Sequence, residues 1–227
     1  MKKLYNLFYI FLLSLVFSST AHAVSLQSLF SGGSLTVGKL LFDQWSLVNL
    51  VSTDPAQDPD PNLIDVQGLS SDPHNSGLRF TTSDELTAIN NSFIDFYFSF
   101  RVSSLGGQII IKDNELAITD ASIVRADAQG DPIVAILETV EDVVGNELAQ
   151  KYVELSYTSL NLVDSANFPS QDSIWVTKNV LVAGLNPGDI ASLKGFEQHF
   201  SVPEPVTLML FGFGFLLLAR PKLAANK

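Results

Sequence analysis

The chain has 227 residues, 46% of them hydrophobic, a formal net charge of −11 and no cysteine. The missing cysteine excludes a disulfide scaffold and any thiolate-ligated metal centre, and the acidic balance leaves no basic footprint for nucleic acid. The length suits one ordinary domain with additional segments, or two small domains, and the apolar content is too high for a disordered chain.

In chain order, residues 1–23 come first and hold 15 apolar residues. Lys2 and Lys3 give a positive start, and an apolar run from Leu7 to Phe17 is broken only by Ser14. Ala21-His22-Ala23 then supplies the small-x-small pattern that a signal peptidase accepts. The run is short for a membrane span, so these residues read as a signal helix removed at Ala21 and Ala23. The mature chain then starts near Val24 and folds outside the cytoplasm.

Residues 24–201 are expected to form one domain. Apolar residues alternate with polar ones along it, the period of a half-buried strand. The clearest case is Phe93–Val102, where Phe96, Phe98, Phe100 and Val102 share one face and Asp95, Tyr97, Ser99 and Arg101 the other. Strands are also expected at Leu35–Phe42, Trp45–Ser52, Leu63–Gln67, Leu78–Thr81, Gln108–Lys112, Leu116–Ala126, Ile133–Thr139, Tyr152–Thr158 and Ser173–Ala183. Turn signals fall at Gly32-Gly33, Gly106-Gly107, Asp113-Asn114, Gly130-Asp131-Pro132, Gly145-Asn146 and Asn186-Pro187-Gly188. Helical hints are confined to Ser83–Asn90 and Asp189–Lys194, and Val140–Lys151 fits either a loop with a helical turn or a strand pair. Short strands without a long helical period predict an all-β fold, an antiparallel β-sandwich with jelly-roll-like topology.

Chemical groups in this region are sparse. His74 lies in the polar turn Ser70–Asn75, and His199 fits an exposed strand position. No Cys nucleophile and no Gly-x-Ser-x-Gly elbow is present, so the chain reads as a non-enzyme with no cofactor. Paired carboxylates are too abundant among 24 acidic residues to point to a glycosidase. Asp58, Asp60 and Asn62 occupy the first, third and fifth positions of a Ca²⁺ loop. Leu63 and Leu69 stand where that loop needs Gly and Glu, so a Pro-stiffened acidic surface loop is the simpler reading. Trp45, Trp175, Tyr97, Tyr152 and Tyr157 could form a sugar-stacking surface, although core packing is the expected place for both tryptophans.

The C-terminus reads Val202-Pro203-Glu204-Pro205, then a 14-residue apolar run at 206–219, then Arg220, Pro221 and Lys222. The run predicts a short transmembrane helix, and the basic residues behind it place the C-terminus in the cytoplasm. The order and end position resemble the PEP-CTERM sorting signal. The resemblance implies that Pro203, Glu204 and Pro205 form the recognition motif within a sorting segment, 202–227, and that Arg220 and Lys222 belong to a basic retention tail; Pro221 stands where the family carries further basic residues. It further implies processing by an exosortase, transient anchorage in the inner membrane, and delivery to the cell surface or extracellular matrix of a bacterium that makes exopolysaccharide. Gly38-Lys39-Leu40-Leu41-Phe42 and Phe196-Glu197-Gln198-His199-Phe200 also resemble segments of small cargo proteins of that family, a group without a settled biochemical activity. The expected function is thus a structural or binding component of the surface or matrix, the alternative a carbohydrate-binding module or adhesin acting on exopolysaccharide, and a distant third a hydrolase. All 24 acidic residues fall in 24–205 beside 8 basic ones, a net charge of −16 that keeps an exported domain soluble.

Overall fold

The computed structural model describes residues 23–69, 75–106, 111–127 and 130–201. The expected signal helix with Ala21, the sorting motif Pro203-Glu204-Pro205, the expected transmembrane helix and the basic tail with Arg220 and Lys222 lie outside the described residues; Ala23 is exposed. Among the described residues no helix is long and apolar enough to cross a membrane.

The described chain is all-β apart from one helix turn, α1 (Leu26–Phe30). Ser25 caps it, its hydroxyl accepting from the Ser28 N–H at 3.3 Å, and Leu26 and Leu29 are buried. The strands are β1 (Val24–Ser25), β2 (Leu35–Val37), β3 (Leu40–Ser52), β4 (Asp65–Leu69), β5 (Asn75–Ile89), β6 (Ser92–Ser104) and β7 (Ile111–Val124). They continue with β8 (Ile133–Glu141), β9 (Glu147–Leu155), β10 (Leu160–Asn161), β11 (Val163–Gln171), β12 (Ser173–Gly184) and β13 (Ile190–Ser201). A six-stranded sheet runs β1-β4-β5-β13-β7-β11 and a seven-stranded sheet runs β10-β9-β8-β12-β6-β3-β2. All pairs are antiparallel. With the short β10 set aside, β5-β13-β7-β11 facing β6-β12-β8-β9 is jelly-roll connectivity, and the two sheets form a β-sandwich.

Aromatic rings fill the space between the sheets. Phe96, Phe98 and Phe100 of β6 point inward, as the alternation predicts. Phe98 meets Phe80 of the opposite sheet at 5.8 Å, Phe42 meets Phe200 at 5.7 Å, and Trp45 stacks on Phe100 at 4.4 Å. Each such ring removes a large apolar area from water, and offset or tilted pairs add to that burial.

Several expectations change. Ser83–Asn90 and Asp189–Lys194 are not helical: the first lies largely in β5, where Leu86 and Ala88 are buried, and the second enters β13, where Ala191 and Leu193 are buried. Between the pairs Leu193–Leu86 and Gly195–Thr81, β5 carries Thr82 to Glu85 against the single Lys194. Ser83 and Asp84 take positive φ there, 47° and 67°. This bulge resets the face on which residues fall. Leu35–Phe42 divides into β2 and β3 at Gly38, which takes φ +58° and whose missing Cβ would lie 2.6 Å from Ser76 Oγ. Asp113-Asn114 is no turn but part of β7, and β11 had no expected counterpart because only Phe168 in it is buried. Val140–Lys151 resolves into the β8–β9 pair, its turn held by Asp142 Oδ1 accepting from the N–H groups of Val144 and Asn146 at 2.9 Å each.

Candidate functional site: the outer face of the seven-stranded sheet

On β12, Ile174, Val176, Val180 and Val182 are buried between the sheets, so Trp175, Thr177 and Asn179 point outward. Trp175 is therefore not a core residue as expected; it is half-buried on the sheet surface, while Trp45 is 5% exposed and belongs to the core. The register extends this outer face across five strands. Tyr152 of β9 lies opposite Leu137 of β8, Leu137 opposite Asn179 of β12, Asn179 opposite Tyr97 of β6, and Tyr97 opposite Asn49 of β3. With strands about 4.8 Å apart, this row is roughly 19 Å long. The flanking row reads Gln150, Thr139, Thr177, Ser99 and Ser46, and Trp175 stands beyond it between Glu141 and Arg101.

The polar groups of this face divide into fixed and free ones. Arg101 donates from Nε and an Nη to the two carboxylate oxygens of Asp43 at 3.0 and 2.9 Å, which holds its guanidinium protonated above its ordinary range. Burial, then a hydrogen bond with Glu154, raises the Tyr152 phenol, so it stays neutral. The amides of Asn49 and Asn179 and the hydroxyls of Thr139, Thr177 and Tyr97 make no side-chain hydrogen bond to another described residue. Asp95 Oδ1 is buried on the same face without a partner. Asp43, Asp95, Glu141 and Glu154 against Arg101 make the face acidic.

The other sequence-stated residues lie elsewhere. His74 is outside the described residues. His199 is half-buried on the outer face of the six-stranded sheet, its Nε2 3.0 Å from Glu197 Oε2, and Arg79 donates to Glu197 Oε1 at 2.7 Å. In the acidic loop, Asp58 Oδ1 accepts from Ser52 Oγ at 2.7 Å. Asp60 Oδ1 accepts from the backbone N–H and the side-chain amide of Asn62 at 2.9 and 2.8 Å, and the Asp60 N–H donates to Glu85. Asp58, Asp60 and Asn62 thus serve separate loop contacts, and no cluster of three or more His, Asp or Glu side chains suited to a metal ion occurs among the described residues. Tyr157 lies beyond β9, with Arg125 over its ring at 4.3 Å.

A polar cluster between the sheets escaped the sequence reading. Glu138 of β8 accepts from Lys151 of β9 at 2.7 Å and from Lys178 of β12, and all three side chains are fully buried. Asn114 of β7 and Gln198 of β13, from the facing sheet, complete the cluster: Lys151 donates to Asn114 Oδ1 and Lys178 to Gln198 Oε1, each at 2.5 Å, and Asn114 Nδ2 donates to Glu138 Oε1 at 2.7 Å. The two ammonium groups outweigh burial and hold Glu138 below its ordinary value, whereas burial brings Lys178 down to about 8. One sequence signal could have found the cluster: Glu138 falls in step with Val134, Ile136 and Val140, and Lys178 with Val176 and Val180.

No protein-family profile matches the chain, and no curated protein matches it. Solved structures with some likeness include TmCBM61, a structure in complex with β-1,4-galactotriose, at 15% identity and a TM-score of 0.27, covering 68% of this chain and 87% of that one. TmCBM27, a carbohydrate-binding module with specific mannan recognition, gives 7% identity and a TM-score of 0.33 over 82% of this chain and 97% of that one. CsCBM6-3 from Clostridium stercorarium, in complex with cellobiose, gives 13% identity and a TM-score of 0.22 over 67% and 92%. Overlap this low assigns neither a family nor a ligand.

Proposed function

We propose that this chain is an exported, non-catalytic glycan-binding protein whose site is the outer face of the seven-stranded sheet. The observation that carries the reading is the row Tyr152–Leu137–Asn179–Tyr97–Asn49, which sets two aromatic rings, one aliphatic side chain and two unengaged amides along one track. A sugar ring offers apolar C–H groups on its faces, which suit aromatic side chains, and hydroxyls around its rim, which suit amides and hydroxyls that need both donors and acceptors. The track of about 19 Å holds several sugar rings end to end. The acidic side chains around it favour neutral glycans over polyanionic ones.

The ends of the chain supply the setting. Residues 1–23 direct export, and Pro203-Glu204-Pro205 with the apolar run and Arg220 and Lys222 presents the protein to an exosortase in the inner membrane, from which it passes to the surface or matrix. Exopolysaccharide is then the glycan at hand.

A glycan array followed by calorimetric titration tests the binding reading. Binding of neutral oligosaccharides is expected, with Tyr97→Ala weakening it by about tenfold or more while thermal melting stays close to wild type. Binding to no glycan, or equal binding by wild type and Tyr97→Ala, would overturn the assignment.

A further inference from the structure

We propose that Lys151 and Asn114 become joined by an intramolecular isopeptide bond between the two sheets, with Glu138 as the proton relay. The reacting groups already touch: Lys151 Nζ lies 2.5 Å from Asn114 Oδ1. With a C=O bond of about 1.23 Å, the carbonyl carbon is at most about 3.7 Å from the nitrogen, close to the spacing of a near-attack arrangement. Glu138 Oε1 is 2.7 Å from Lys151 Nζ, the nucleophile, and 2.7 Å from Asn114 Nδ2, the leaving group. One carboxylate oxygen therefore reaches both ends of the proton path.

The step balances without any co-reactant. Glu138 takes a proton from the Lys151 ammonium, and the freed lone pair of Nζ adds to Asn114 Cγ, forming the new C–N bond. Glu138 passes its proton to Nδ2 and receives a second one from Nζ. The Cγ–Nδ2 bond then breaks, and ammonia leaves, carrying the second proton away as ammonium. Lys–NH₃⁺ and Asn–CONH₂ have become an amide and NH₄⁺, with no change of oxidation state, and Glu138 is a carboxylate again.

The surroundings favour this direction. Ile136, Val140, Val153, Val176 and Val180 are buried around the group, and Lys151 and Glu138 are wholly shielded from water. Before the reaction, two ammonium groups share one carboxylate in the interior. A buried charge without its own partner is unfavourable. Bond formation exports one positive charge to solvent as ammonium and leaves Glu138 and Lys178 as a matched pair. The product ties β7 of one sheet to β9 of the other by a covalent link that is not reducible, in a chain without cysteine.

Peptide mass spectrometry on the full-length wild-type protein decides this. Trypsin is expected to release a branched peptide joining the segments that contain Asn114 and Lys151, uncut after Lys151 and lighter than the two linear peptides together by one ammonia. Separate linear peptides with cleavage after Lys151, or a branch at Lys178 instead, would overturn the assignment. Glu138→Gln tests the relay: the folded variant is expected to lack the branched peptide, and its presence would remove Glu138 from that role. Should that variant fail to fold, the wild-type digest still decides whether the bond exists.

Discussion

Glu197 is a carboxylate set between Arg79 and His199. Burial to 15% exposure works to raise its pKa, but hydrogen bonds from His199 and Arg79, and the Arg79 charge, outweigh it and hold the group below its ordinary 4.5. A carboxyl held low in the folded state stabilises the fold fully above its unfolded value, and the contribution disappears as pH falls through the folded one. Arg79 is 49% exposed, so solvent screens the pair. Arg79→Ala is accordingly expected to lower stability by about 1 kcal/mol or less at neutral pH. Urea unfolding of both proteins should converge as the pH drops well below 4.5. A difference that stays constant into the acid range would show that Arg79 acts by packing rather than charge.

At the scale of elements, β5 and β13 bind closest where a side chain is missing. A Cβ at Gly77 would lie 2.1 Å from the backbone oxygen of Gln198 and 3.1 Å from His199 Cα. Neither backbone atom can swing aside, so Gly77→Ala must spread the two strands. It is expected to destabilise the fold by roughly 1–3 kcal/mol, read as a fall of several degrees in Tm; an unchanged Tm would mean that β13 shifts freely. These same strands were the least legible in the sequence. β6 and β12 were readable because apolar residues occupy nearly every inward position. In β5 and β13, inward Thr82 and Gln198 are polar and satisfied by hydrogen bonds to Leu193 O and Glu115 O. The bulge also breaks the parity that a period-two reading needs. The proposed glycan track was half legible: parity turns Tyr97 outward, whereas Trp175 was expected in the core, and only strand order places Tyr152, Asn179, Tyr97 and Asn49 in one row. Sequence spacing holds no information about that order, since β12 and β6 are neighbours in the sheet and far apart in the chain.

For the whole molecule, the proposed route to the surface makes its own prediction. Replacing Pro203, Glu204 and Pro205 by Ala in the native host is expected to leave the precursor in the inner membrane with an unprocessed C-terminus. Intact mass and surface labelling read the outcome, and unchanged mature mass with unchanged surface delivery would refute the sorting role. That change lies beyond β13, so the proposed glycan face is expected to bind as before, which separates the sorting role from the proposed binding role.

The margins of the two sheets bear on life at high concentration. A long unpaired strand edge invites another copy to add its own strand and so to grow a fibre. Here β1, β10 and β2 end their sheets with only two, two and three residues. The fourth margin, β11, carries Pro169, which has no N–H to offer, and its ladder with β7 loses register between Asn167 and Gln171. Behind the short β2, the edge of β3 from Asp43 to Ser52 has no strand partner among the described residues, but register shifts between Asp43 and Ser46 and between Leu47 and Asn49 interrupt it. A second copy adding a strand at these margins thus meets a bulged edge on β3 and a proline-bearing one on β11.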